Sequence, residues 1–318
     1  MPTKPLVLAI SWLPEVIWQR LREEFPEVEA RDGRERPALE EHLPRAAVVY
    51  GTLPAALVPA AAELRWLQLN SAGVAADLCA ALTGRGVQVT NLAGLYGPSI
   101  AEHTLALMLI LARNLRTAIC QQQERRWQRD LARTMTDLRG RTAAVVGLGN
   151  IGQAIARLCR ACGMRIIGCR RTPRPTPWVD RLYPVEERAA MFAEADYIIV
   201  AAPLTRETDG LLGPAEFAAM KRGAFFVNIS RGRIAREDAL IAALRAGHLA
   251  GAGLDVFAVE PLAPDHPLWD MPQVVITPHC SGEVVNQSSL PGELFLRNLR
   301  AYLDGRPLGH VVDLDRGY

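Results

Sequence analysis

The chain has 318 residues, 49% of them hydrophobic and 22% charged, with 36 Lys plus Arg against 34 Asp plus Glu for a net charge of +2. That length fits about two domains and excludes a lone small binding module, while the ordinary composition excludes disorder, collagen and coiled coil as overall descriptions. The basic residues are scattered rather than gathered in a tract, so nucleic acid is not an expected partner.

The N-terminus carries Lys4 and the apolar run 6–10, too short for the core of a signal peptide. The longest apolar stretch, 105–112, falls far below the roughly 18 residues of a membrane span. A soluble cytoplasmic protein is expected. Short β-rich runs at 6–10, 47–50, 66–69 and 87–90 alternate with helical segments, the pattern of a parallel α/β sheet. A long helical stretch runs from Ser99 to about Arg129, apolar at first and then polar, as where a chain crosses between domains. A second series of runs, at 143–146, 165–169, 197–202, 224–229, 251–257 and 274–277, predicts a second doubly wound sheet. One further helix is expected over 290–304, and the Pro-rich patch 172–177 reads as a surface loop.

The cysteines at 79, 120, 159, 162, 169 and 280 are spread through a chain that can build its own core, so no disulfide framework is indicated. Cys159 and Cys162 form a C-x-x-C near the end of a predicted helix, away from the helix start where the dipole lowers a thiol pKa. Inert packing is expected there.

The run Val146-Gly147-Leu148-Gly149-Asn150-Ile151-Gly152 is a G-x-G-x-x-G that follows a predicted strand and opens a helix. In this frame Gly147 permits a tight turn, Gly149 lets the backbone approach a pyrophosphate, and Gly152 lets helix and strand pack closely. The amides of Asn150 and Ile151 then offer the helix N-terminus to phosphate. The next strand normally ends in an Asp or Glu that binds the adenosine ribose, but this chain has Arg170, Arg171 and Thr172. Two guanidinium groups suit a 2′-phosphate, so NADP is favoured with NAD possible.

Three residues stand just beyond the later strands: Arg231 after Asn228-Ile229-Ser230, Glu260 after Asp255-Val256-Phe257, and His279 after Thr277-Pro278. Open α/β sheets bind ligands at these carboxyl ends. A cation for a carboxylate, a histidine as proton donor and a carboxylate behind it make a set able to reduce a 2-keto acid. His103, just ahead of the apolar run 105–112, reads as a structural residue at a helix start rather than a second base. His279-Cys280 has no further Cys/His pair at ligand spacing, and no metal is expected.

These motifs, with Asn70-Ser71-Ala72-Gly73-Val74 and Ala101-Glu102-His103-Thr104-Leu105, make the chain resemble the D-isomer-specific 2-hydroxyacid dehydrogenases along nearly its whole length. The resemblance implies an α/β fold of two doubly wound parallel-sheet domains. A flavodoxin-like substrate domain, 1–98 plus 285–318, would be split around an inserted Rossmann domain, 99–284. It further implies His279 as acid/base, Glu260 as its partner, Arg231 as substrate clamp, and the loop amides of Ala72, Gly73 and Val74 as carboxylate holders. Asp255 matches a position near the nicotinamide, and Pro203 and Thr208 join the cofactor set.

Specificity is expected from the first domain, from the loops Tyr50-Gly51-Thr52-Leu53 and Leu95-Tyr96-Gly97, with Leu53 as an apolar wall and Tyr96 as a further candidate. The two candidate loops lack basic residues, which disfavours 3-phosphoglycerate, and an appended regulatory domain is not expected. Arg170 departs from the family pattern, and so does Cys280, a thiol that could make activity sensitive to oxidation. The implied function is an NADPH-preferring reductase of small 2-keto acids such as glyoxylate or hydroxypyruvate, acting as a homodimer through the long helix and its arm to Trp127. A non-catalytic NAD(P)-sensing protein and a formate- or phosphite-type dehydrogenase remain alternatives.

Overall fold

The computed structural model describes residues 4–172, 174–283 and 289–317. These fall into two compact units, residues 4–96 with 289–317, and Gly97–Glu283. Helix α4 (Gly97–Ala112) opens at Gly97, so the second unit starts there rather than at residue 99. The other expected boundary, 284/285, lies outside the described residues.

The first unit holds β1 (Leu6–Ala9), β2 (Glu29–Asp32), β3 (Ala46–Tyr50), β4 (Trp66–Gln68) and β5 (Gln88–Thr90), all parallel, in the order β2-β1-β3-β4-β5. Alternating side chains of β1 go to opposite faces. Leu6 and Leu8 join Val49, Leu67 and helix α3 (Ala76–Leu82) on one side. Val7 and Ala9 join α1 (Glu15–Glu24) and α10 (Leu290–Leu303) on the other, through Ile17, Leu21 and Phe295. Helices on both faces explain why the inner strands are apolar throughout. Leu53, expected as an apolar wall facing substrate, is instead 1% exposed and packs into the first of these clusters. Its apolar character serves the core.

The second unit holds β6 (Thr142–Val146), β7 (Arg165–Cys169), β8 (Arg181–Tyr183), β9 (Tyr197–Val200), β10 (Phe225–Asn228), β11 (Gly251–Leu254) and β12 (Val274–Ile276). All are parallel, in the order β12-β11-β10-β9-β6-β7-β8. The strand order reverses between β6 and β9, which is the switch point where doubly wound sheets open a crevice. Val146, Ile167, Ile198, Phe226 and Leu254 form one core face. On the other face α4 (Gly97–Ala112) lies close enough that a side chain at Gly253 would meet Leu107 at 3.0 Å.

The single long helix expected from Ser99 is broken. Asn114 takes a left-handed conformation (φ 45°) between α4 and α5 (Leu115–Gln123), and a 3-10 helix follows at Arg129–Thr134. Two of the four edge strands, β2 and β8, went unseen in the sequence because they are short, partly exposed and carry no apolar run; β2 reads Glu-Ala-Arg-Asp. Among the described residues no helix is long and apolar enough to cross a membrane.

Candidate active site

The turn from β6 into α6 (Asn150–Ala161) is shaped by what it excludes. Gly147 has φ +92°, and a Cβ there would lie 2.5 Å from the Ala202 backbone beyond β9. At Gly152 a Cβ would meet the Gly147 carbonyl oxygen at 2.0 Å. The chain is pressed against the exit of the neighbouring strand, leaving the amides of Asn150, Ile151 and Gly152 at the head of a 12-residue helix with no side-chain cap. Nothing lies within 4 Å of where a Gly149 side chain would project. A cradle that only glycine allows and a set of unclaimed amides fit a dinucleotide pyrophosphate.

Arg170, Arg171 and Thr172 follow the last residue of β7, with Arg171 and Thr172 exposed. The loop after β9 is closed by Thr208, whose hydroxyl donates to the Pro203 carbonyl at 2.6 Å and accepts from the Thr205 amide at 2.7 Å. In that loop the Thr205 hydroxyl holds the Glu207 carboxyl below the usual carboxylate range, and the charges of Arg171 and Arg206 add to this. The basic corner therefore includes Arg206, and it contains a carboxylate that the residues next to Arg170 do not supply. Neither was legible from the β7 segment, because the loop arrives from the next strand but one.

Beyond β10, Asn228 shapes the turn to Arg231: its side chain donates to the Arg231 carbonyl at 3.1 Å and accepts from the Ser230 amide at 3.1 Å. Arg231 is exposed, its guanidinium donating to the Ser230 carbonyl at 2.7 Å. The next residue must be glycine for a steric reason, since a Cβ at Gly232 would fall 1.9 Å from the carbonyl carbon of Phe257. This contact brings the Arg231 loop directly against the loop that carries Glu260.

Asp255 ends the β11 segment with 0% exposure. Its carboxylate accepts the Thr277 hydroxyl at 2.6 Å and the amides of Cys280 and Ser281 at 3.0 Å each, while its carbonyl accepts the His279 amide at 2.8 Å. One buried side chain thus folds the loop after β12 and holds His279 at φ +54°, a left-handed conformation that non-glycine residues avoid. Nδ1 of His279 meets Glu260 Oε2 at 2.6 Å, and Glu260 Oε1 accepts the Phe257 amide at 2.9 Å. With Nδ1 committed, Nε2 is the free edge of the ring. Asp255, Glu260 and His279 are joined by direct contacts, and Arg231 reaches this group through the packing of Gly232.

In the first unit the loop after β4 uses its carbonyls and leaves its amides. Asn91 donates to the Ala72 carbonyl at 2.8 Å, Ser71 to that of Gly73 at 2.7 Å, and the Leu92 amide to that of Ser71 at 2.9 Å. Among the described residues the N–H groups of Ala72, Gly73 and Val74 have no acceptor. Tyr96, the last residue before the second unit, is partly exposed. Burial, helped by the Asp255 charge, pushes the Cys280 thiol up, which disfavours the thiolate that oxidation needs. Cys159 is pushed up to about 12 by burial, in keeping with inert packing.

The sequence underrated His103. On α4 its Nε2 meets Thr277 Oγ1 at 3.0 Å and stands 3.8 Å from Asp255 Oδ1. The residue lies 174 positions from Thr277, and only its place ahead of an apolar run was visible locally.

The family model for the NAD-binding domain of D-isomer specific 2-hydroxyacid dehydrogenases matches residues 105–281. The D-3-phosphoglycerate dehydrogenase of Archaeoglobus fulgidus is 33% identical over 97% of this chain, which spans only 59% of that protein. The glyoxylate reductase of Korarchaeum cryptofilum is 35% identical over 73% of this chain and 70% of its own length. Among solved structures, a D-isomer specific 2-hydroxyacid dehydrogenase from Xanthobacter autotrophicus Py2, in complex with NADPH and MES, is similar at a TM-score of 0.85 and 30% identity. That likeness covers 99% of this chain and 100% of that one. With the nucleotide cradle, the joined Asp255, Glu260 and His279, and a family match across more than half its length, the chain belongs to the D-isomer-specific 2-hydroxyacid dehydrogenases.

Proposed function

We propose that this protein reduces small 2-keto acids to D-2-hydroxy acids, with NADPH preferred over NADH and glyoxylate or hydroxypyruvate as favoured substrates. The observation that carries the reading is the 2.6 Å contact between His279 Nδ1 and Glu260, which orients the ring and leaves Nε2 for a substrate oxygen. A bound reduced nicotinamide supplies the hydride, the one part of the chemistry no side chain provides. His279 Nε2 donates the proton to the carbonyl oxygen, and Glu260 stabilises the imidazolium that precedes the transfer. Arg231 binds the acid group and steadies charge developing on the oxygen. The unclaimed amides of Ala72, Gly73 and Val74 offer further donors for a carboxylate.

The cofactor's pyrophosphate would rest on Gly149, Asn150, Ile151 and Gly152 at the head of α6. Its 2′-phosphate would rest on Arg170, Arg171 and Thr172, with Pro203 and Thr208 bordering the nucleotide, whereas Asp255, expected beside the nicotinamide, is wholly buried and acts through the loop it folds. The preference for NADPH is supported by these arginines and by the NADPH bound to the Xanthobacter relative. A homodimer fits the arm after α4, which exposes Ile119 (54%) and Trp127 (91%). A cytoplasmic location fits six cysteines that are all free.

Initial rates with NADPH and NADH against glyoxylate, hydroxypyruvate, pyruvate, 2-ketoisocaproate and phenylpyruvate test the reading together with its cofactor preference. The expected result is turnover of the smallest acids with NADPH well ahead. Exchange of Arg171 for Ala should then reduce that lead by roughly tenfold, the scale of one charge-assisted phosphate contact. Tight NADPH binding with no turnover of any acid would favour a sensing role. Oxidation of formate or phosphite with NAD would favour the third alternative.

A further inference from the structure

We propose that His103 is a positioning residue for the loop that presents His279, acting through Thr277 and the buried carboxylate of Asp255. The proposal rests on His279 being the proton donor. The direction of each hydrogen bond follows from chemistry. As a carboxylate, Asp255 can only accept, so the single hydroxyl proton of Thr277 goes to Oδ1 at 2.6 Å. Thr277 Oγ1 is then left as an acceptor, and His103 Nε2, 3.0 Å away, must donate to it. A chain of donors therefore runs from helix α4 through Thr277 to Asp255.

The far side of Asp255 receives the amides of Cys280 and Ser281, and its carbonyl receives that of His279. Its carboxylate is wholly buried, with His103 Nε2 standing 3.8 Å from Oδ1. A left-handed histidine persists only where its surroundings over-determine it, and this network fastens the loop on both sides of residue 279. His103 is anchored on a 16-residue helix of the same unit, so it ties a loop to a rigid element. This assigns a task to the histidine of Ala101-Glu102-His103, which the proton transfer itself does not use.

The test compares His103→Gln, His103→Asn and His103→Leu in the full chain. A glutamine amide nitrogen reaches about as far as Nε2, an asparagine nitrogen only as far as Nδ1, and leucine donates nothing. Two kinds of measurement are made: kcat, KM and NADPH affinity, and hydrogen exchange at the amides of Cys280 and Ser281. His103→Leu and His103→Asn are expected to lower kcat roughly tenfold, the scale of a misplaced catalytic group, with KM and NADPH affinity little changed and faster exchange at both amides. His103→Gln should recover most of kcat and the slow exchange. Thr277→Val should match His103→Leu, and the double variant should be no worse than either. Glutamine no better than leucine, unaltered exchange in His103→Leu, or additive losses in the double variant would each overturn the proposal. If the unaltered chain turns over no keto acid, the proposed function fails alone, and the exchange rates still decide the role of His103.

Discussion

In the five-stranded sheet the buried Gln68, Thr90 and Asn298 lie inside the core: Trp66 donates to Thr90, Thr90 to Gln68, and Asn298 from α10 to Gln68 at 3.1 Å and to the Gly309 carbonyl at 3.1 Å. In the seven-stranded unit the buried Asn228 and Asp255 stand at the strand exits, where they fold loops instead of joining layers. Both sheets are parallel and covered on two faces, so the difference is not one of architecture. A buried hydrogen-bonded group specifies geometry more sharply than an apolar one because its partners are fixed in direction. The first unit uses that sharpness to seat a helix that arrives 230 residues after Gln68. The second uses it to aim chemical groups.

The largest effect is expected where the aimed group itself is removed. His279→Ala should lower kcat by roughly a hundred- to ten-thousandfold, the usual share of a positioned acid, while NADPH affinity measured by fluorescence stays within a few fold; a matching loss of affinity would show that the ring serves binding.

Next comes the backing of that loop. Gly232→Ala drives a methyl into the Phe257 backbone and should cost about 3 kcal/mol in the second unit. The calorimetric transition should fall even where the first unit is unchanged. An unshifted transition would mean that the two loops yield easily.

Asn298→Ala probes the other use of buried polar groups. It should cost about 1–3 kcal/mol by leaving Gln68 and the Gly309 backbone short of partners. The comparison predicts that NADPH affinity below the transition is preserved, because the aimed loops lie elsewhere; a parallel loss of affinity would break it.

The smallest effect concerns Asp196, at the base of the second sheet. Burial pushes its carboxyl up, but Lys221, the Thr142 amide and Arg141 outweigh burial and hold it below the usual range. A carboxyl depressed in the folded state stabilises above its ordinary value near pH 4, and that contribution is lost as pH falls through the depressed value. Asp196→Asn should therefore be slightly less stable at neutral pH and should lose less stability below about pH 4 than the unaltered chain. An equal acid loss in both would assign the acid sensitivity to other carboxyls.

The amino-acid sequence by itself determined the inner strands, the glycine turn before Asn150, and the order in which Arg231, Glu260 and His279 follow their strands. Each of these depends on short-range chemistry: apolar runs for strands buried on two faces, glycine where no side chain fits, and loop residues at strand ends. Tertiary structure alone decided the rest. The edge strands β2 and β8 carry no apolar signal because they are short and present exposed, polar side chains, so only pairing with β1 and β7 makes them strands. Leu53 looked like a wall and became core, since an apolar side chain does not announce which of two surfaces it will face. His103 looked like a helix residue and became a neighbour of Thr277 and Asp255. Hydrogen bonds between residues 22 and 174 positions away depend on where two strands and a helix come to lie, and no local pattern encodes that placement.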